Sequence, residues 1–149
     1  MYKHILVPTD SSKLSLKAVK EAAQLARACK AKVTALFVIE PYMPRVSDES
    51  LVPQSLTRDQ AVYKKFSEKA AADALAKAEK GFAAAKVKCT TEFVVDPMPW
   101  HGILDVARRR KCDLIVMASH GRGGFMGVLL GSETHKVLSH SKIPVLVCR

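Results

Sequence analysis

Apolar positions along this chain alternate between two kinds of run. Short, near-continuous apolar stretches read as buried strands: "HILVPT" (His4 to Thr9), "KVTALFVIE" (Lys32 to Glu40), "KCTTEFVVD" (Lys88 to Asp96), "DLIVMAS" (Asp113 to Ser119) and "IPVLVC" (Ile143 to Cys148). Between them apolar residues recur at helical spacing. After Ser11 and Ser12, which offer an N-cap, Ala18, Val19, Ala22, Ala23, Leu25, Ala26 and Cys29 share one face. A long Ala/Lys/Glu-rich helix is predicted from about Asp59 to Ala85. Another follows Pro97 and Pro99, with Trp100, Ile103, Leu104 and Ala107 on one face, and a last one spans Ser132 to His140. Pro41, Pro44 and Pro53 punctuate an irregular stretch reaching to Thr57, the longest loop, which reads as a flap beside the second strand.

Strands and helices thus alternate from end to end. Apolar strands separated by helices point to a parallel sheet covered on both faces. Right-handed crossovers make a doubly wound sheet the expected form. In such sheets ligands bind beyond the C-terminal strand ends, where the strand order reverses. Two segments compete for that place: "PTDSS" after the first strand and the glycine-rich loop after the fourth.

Length and composition keep this picture. A chain of 149 residues, 48% apolar and 26% charged, is expected to form one domain with a sizeable core. No window approaches the ~20 apolar residues of a membrane span. The opening "MYKHILVPTD" does not read as a signal peptide, so a cytoplasmic protein without a membrane partner is expected. Cys29, Cys89, Cys112 and Cys148 are scattered without a C-x-x-C pair, as free thiols of a reducing compartment are. The net charge of +10 raises nucleic acid as a partner. The cations look dispersed, however, and the dense cluster Arg108-Arg109-Arg110-Lys111 closes a predicted helix, where cations suit the dipole. With aromatics at 6%, little stacking surface exists for single strands. Nucleic acid is therefore not expected as a partner.

The segment "VMASHGRGGFMGVLLGSETHKVL" (Val116 to Leu138) carries the chemistry. Five glycines fall within eleven residues between a strand and a helix. It is neither a Walker A motif, because no Lys-Ser or Lys-Thr pair follows, nor a G-x-G-x-x-G fingerprint, because Met126 stands at the last glycine. Gly121, Gly123 and Gly124 let main-chain amides converge, and Gly131-Ser132 opens a helix whose N-terminus suits an anion. Two readings fit these residues: a phosphate cradle, or a surface loop in which Gly131 relieves a turn and Ser132 caps the helix.

The arrangement resembles the universal stress protein family, whose nucleotide-binding members carry G-x2-G-x9-G-[ST]. Here the pattern runs from Ala118, in place of the first glycine, through Gly121 and nine residues to Gly131-Ser132. "YKHILVPTDSS", "DLIVMASHGRGG" and "LLGSETHKVLSHSKIPVLV" are also similar to it, so the resemblance covers the whole chain. Asp96 stands where many relatives have glycine. The expected architecture is a single α/β domain over residues 1–149, doubly wound, with five parallel strands in order 3-2-1-4-5 and helices on both faces. The resemblance implies ATP, together with Mg²⁺, as the ligand. Pro8, Thr9 and Asp10 would flank the adenosine, and Val38 would offer main-chain groups to the adenine. Met117, Ala118, Ser119, His120 and Gly121 would line the ribose and first phosphate, with Arg122, Gly131, Ser132, Glu133 and Thr134 around the phosphates. A side chain at position 131 would then project where the phosphates approach. Plainer roles stand beside these: Asp10 as a helix cap, Val38 as core, His120 as a polar loop residue and Glu133 as a favourable helix-start acid. The resemblance also implies a homodimer through the C-terminal strand, an edge with Pro144 where an edge tolerates it.

Hydrolysis of a phosphoanhydride needs an oriented water and charge neutralisation. Asp10, His120 and Arg122 are candidates, but no dedicated catalytic or metal-ligating set stands out. The expected function is an ATP-binding stress-response regulatory module with at most slow ATP hydrolysis. The alternative is a nucleotide-free dimeric interaction protein of the same family.

Overall fold

The computed structural model of the protein describes residues 1–43, 53–121 and 130–149. Its elements follow the predicted alternation: β1 (His4–Pro8), α1 (Lys13–Cys29), β2 (Lys32–Ile39), α2 (Pro53–Ala84), β3 (Cys89–Val95), α3 (Pro99–Arg109), β4 (Leu114–Ala118), α4 (Ser132–His140) and β5 (Val145–Cys148). The strands form one sheet in order β3-β2-β1-β4-β5, every pair parallel. This is the expected order 3-2-1-4-5, and β1, paired with β2 on one side and β4 on the other, marks the reversal.

Strand periodicity assigns the two faces. Ile5, Val7, Val33, Ala35, Leu114 and Val116 point to one side, where Ala18, Val19, Ala22 and Ala26 of α1 and Leu75, Ala78 and Phe82 of α2 cover them. Leu6, Leu36, Ile115 and Met117 point to the other, under Ile103 and Val106 of α3 and Val137 of α4. Alanines on the inner face of α1 let that helix lie close against the sheet, so small side chains there are a packing requirement.

The helix ends follow local chemistry. Ser12 caps α1 by accepting from the Ser15 N–H at 3.1 Å, and Lys30 closes it in the left-handed region at φ 54°. The long helix α2 begins at Pro53, earlier than the expected Asp59. Proline is welcome in a first helical turn, whose N–H groups have no intrahelical acceptor, so Pro53 opens the helix rather than breaking the chain before it. Residues 44–52 of the expected flap lie outside the described residues.

At the N-terminal strand ends, buried His4 shares hydrogen bonds with the Arg110 carbonyl at 3.0 Å and the Thr34 hydroxyl at 2.8 Å. The carbonyl fixes the proton on Nδ1, and Nε2 accepts from Thr34. Burial first, then the nearby Lys32 charge, lowers the His4 pKa below its ordinary 6.5. The unfolded chain therefore binds this proton more readily than the folded one. The His4 contribution to stability is complete above about pH 6.5 and is lost as the pH falls below that towards the lowered folded value. Urea unfolding of wild type should show a larger drop in stability from pH 7 to pH 5 than the non-titrating His4→Gln variant. Equal drops would refute this assignment.

Burial raises the Cys89 and Cys112 thiols to about 11, so neither is a ready nucleophile at neutral pH. The four cysteines are free.

Candidate functional site

A cavity of about 500 Å³ opens at the C-terminal ends of β1 and β4, where the strand order reverses. Pro8, Thr9 and Asp10 form the wall after β1, and Val38 stands at the end of β2. Met117, Ala118, His120 and Gly121 come from β4 and the turn beyond it, and Gly131, Ser132, Glu133 and Thr134 from the start of α4. The fold thus gathers around one space twelve of the fourteen residues named from the sequence: of the other two, Ser119 is not part of the wall and Arg122 lies outside the described residues.

The loops after β1 and β4 touch at Gly121. A Cβ there would lie 2.6 Å from Oδ2 of Asp10, so only glycine fits without moving the carboxylate. The other oxygen of Asp10 accepts from the Ser12 N–H at 2.9 Å, which sets up the start of α1. Asp10 both shapes the helix entry and faces the cavity, while Ser12 is the cap itself. Thr9 is buried and donates to the Ser15 hydroxyl at 3.2 Å, drawing Ser15 into the wall.

Gly131 acts otherwise than expected. Its φ of −69° suits any residue, yet a Cβ would sit 3.1 Å from Cα of His120 and 3.2 Å from the Ser119 carbonyl. Its N–H donates to that carbonyl at 2.7 Å, closing the two ends of the glycine-rich segment. The expectation that a side chain at 131 would meet the phosphates is corrected: it presses first on His120. Gly131, not Ser132, is the N-cap of α4, and no side chain among the described residues caps that helix. Ser132 is exposed at the first helical position, and among the described residues the amides of the first turn, at the cavity wall, have no side-chain acceptor.

Several expected contacts are committed to the fold. Thr134 is buried and its hydroxyl donates to the Ala118 carbonyl at 2.9 Å. Glu133 accepts from the Trp100 N–H at 2.8 Å and from Lys136 at 3.0 Å, so its carboxylate joins α4 to the start of α3. Ser119 is buried, its hydroxyl shares a hydrogen bond with Nδ1 of His120 at 3.1 Å, and it is a brace for the wall. Ala118 lies in the last position of β4 with its methyl among the core residues on the α1 side. Asp96 is outside the cavity wall: it accepts from the Met98 N–H at 2.8 Å and from His101 at 2.7 Å, and the His101 bond holds its carboxyl below the ordinary range.

Sequence reading missed part of the wall. Leu36, Phe37 and Glu40 of the β2 end, with Pro99 and Ile103 of α3, line the side opposite α4. The apolar face of α3 was visible in the sequence, but only as core. Three carboxylates, of Asp10, Glu40 and Glu133, line the cavity, and no lysine or arginine does so among the described residues. No group of three or more His, Cys, Asp or Glu among the described residues is placed to hold a metal ion.

The profile of the Universal stress protein family matches residues 1–149. The chain belongs to the universal stress protein family. It is 32% identical to universal stress protein MJ0531 of Methanocaldococcus jannaschii over all of this chain and 83% of that one. Among solved structures it is similar to the universal stress protein UspA from Lactobacillus plantarum, with 29% identity, a TM-score of 0.83, and 99% and 98% of the two chains covered. A universal stress protein solved in complex with cAMP has 28% identity and a TM-score of 0.70, with 99% of this chain and 97% of that one covered. Among the described residues, no helix is long and apolar enough to cross a membrane.

Proposed function

We propose that this universal stress protein is a cytoplasmic regulatory module that holds an adenine nucleotide in the cavity between β1 and β4. The observation that carries this reading is the pairing of an α4 N-terminus that no described side chain caps with an apolar slot across the same space. The amides of Ser132, Glu133 and Thr134 and the helix dipole suit phosphate. The slot between Leu36, Val38 and Ile103 suits a flat base, with main-chain groups at the end of β2 to meet its edge. A family member in complex with cAMP supports the ligand class.

ATP is the nucleotide proposed, held with Mg²⁺. A triphosphate facing Asp10, Glu40 and Glu133, with no lysine or arginine among the described wall residues, needs a counter-charge. Mg²⁺ keeps most of its waters and is commonly bound through phosphates and one or two carboxylates, and Asp10 is the residue placed to help. Calorimetry should show ATP binding at least about tenfold tighter with Mg²⁺ than with EDTA, a difference of roughly 1.4 kcal/mol. AMP and cyclic AMP, carrying less charge, should be nearly indifferent to the metal. If none of the three binds in either condition, the nucleotide reading fails and a dimeric interaction protein takes its place. Turnover is expected to be slow: of the candidates for hydrolysis, Asp10 and His120 line the cavity, and Nδ1 of His120 is engaged by Ser119.

The homodimer is proposed through β5, which forms one edge of the sheet and leaves Leu146 exposed. Antiparallel pairing of two such edges about a two-fold axis satisfies both. Val145 is half-buried against the α3–α4 core, so Leu146→Lys is the cleaner disruption. Light scattering should show a dimer for wild type and a monomer for Leu146→Lys at micromolar concentration. A wild-type monomer removes the proposal.

A further inference from the structure

The arginines that stand out as a cluster in the sequence are paired in the structure. Arg108 and Arg109 bind Asp105, and Arg109 and Arg110 bind Glu92. On α2, Lys64 faces Glu68 and Lys69 faces Asp73. A second set lies on α1. Lys13, Lys17, Lys20 and Arg27 of α1 are exposed, and among the described residues none has an ion-pair partner.

Their spacing places them on one line. Positions i, i+4, i+7 and i+14 fall within about 80° of one another at 3.6 residues per turn, with Gln24 filling the remaining turn. The buried residues of α1, from Ser15 to Ala26, lie on the opposite side. Seventeen residues make a rod of about 25 Å, and Lys30 extends the charge past its end. Glu21 is the one acid on this helix, at the flank of the stripe. Four cations spread over fifteen positions of the chain are thus collected by the helix into a single row.

We infer that the outer face of α1 is a docking surface for the phosphate backbone of duplex nucleic acid, bound without regard to sequence. The geometry favours this partner over other polyanions. A row of flexible cations one turn apart follows a strand of regularly spaced phosphates. The row carries no aromatic side chain on which unpaired bases would stack. It carries no large apolar side chain to enter hydrocarbon, so a bilayer would be held by charge alone. Phosphate binding without groove-reading residues is weak and salt-sensitive, with Kd of roughly 10⁻⁴–10⁻⁶ M near physiological salt. The face is separate from the cavity wall, so this inference stands or falls independently of nucleotide binding.

The test uses the full chain and a short, labelled random-sequence duplex, followed by fluorescence anisotropy from about 50 to 200 mM salt. Wild type should bind, and log K should fall linearly with log salt. The variant Lys13→Gln, Lys17→Gln, Lys20→Gln, Arg27→Gln, with its helix content checked by circular dichroism, should bind at least tenfold more weakly. Its salt slope should be shallower by about 0.9 for each phosphate it no longer neutralises. Arg108→Gln with Arg109→Gln should leave both quantities unchanged. No binding by wild type at low salt overturns the proposal. An equal loss in both variants overturns it too, since net charge would then be responsible. So does tighter binding to phosphatidylserine-containing vesicles than to the duplex, which would make the face a membrane contact.

Discussion

Valine in place of Gly121 is expected to weaken adenine-nucleotide binding roughly 100-fold, about 2.7 kcal/mol, with stability changed by much less. The residue sits where the loops after β1 and β4 meet, and its missing side chain leaves room for Asp10 Oδ2. A Cβ 2.6 Å from that oxygen forces the carboxylate to turn, which loosens its bond to the Ser12 N–H. The branched valine then occupies the space between the loops, on the wall of the cavity. Gly121 is itself exposed, so the core is untouched and unfolding should stay within about 1 kcal/mol of wild type. Calorimetry with Mg²⁺-ATP and urea unfolding on the same sample read the two effects separately. Unchanged affinity would show that this junction does not form the ligand site. Ala118→Gly is the matching control: its methyl belongs to the core, so the affinity should hold while strand stability falls by roughly 0.5–1 kcal/mol.

Gly131 would be a poorer probe than its place in the motif suggests, and the reason shows what a sequence can and cannot tell. The glycine pattern located the segment that closes on itself, but the direction of an absent Cβ depends on where His120 lies, which only the fold decides. The strands were legible because short apolar runs bounded by Pro, Asp and Ser have few other uses. Their order was legible from the family resemblance and the handedness of crossovers. The β1 and β4 ends, read from the sequence as competing places for a ligand, line one cavity, because the strand order reverses between them. Ile103 and Glu40 were not, since an apolar helix position and a strand-end acid carry no mark of facing a cavity. Ser119 was expected to line the ribose and first phosphate, yet it lies outside the cavity wall, and its burial and its bond to His120 make it a brace. The α1 cations escaped notice because charge was counted along the chain, whereas a helix sums it along a face.

Phe82→Ala should give the largest loss of stability and serve as an independent check on the ligand. Phe82 is fully buried near the end of α2 and packs with Val19 of α1 and the sheet residues of that face. Truncating a phenylalanine in such a place removes its transfer energy and leaves a cavity that alanine-rich neighbours cannot fill, a cost of about 3–5 kcal/mol. Against a total stability on the order of 5–15 kcal/mol, that brings the variant near the edge of folding. The urea midpoint should drop with the slope unchanged, because the same surface is exposed on unfolding. Phe82 lies in the cluster under α1 and α2, and it is not part of the cavity wall. The folded variant should therefore bind Mg²⁺-ATP with wild-type affinity. Ligand at 100 times its Kd adds about 2.7 kcal/mol to the folded state and should recover more than half of the smaller loss. A midpoint that does not move with Mg²⁺-ATP, in wild type and variant alike, would mean that the folded protein does not hold this nucleotide.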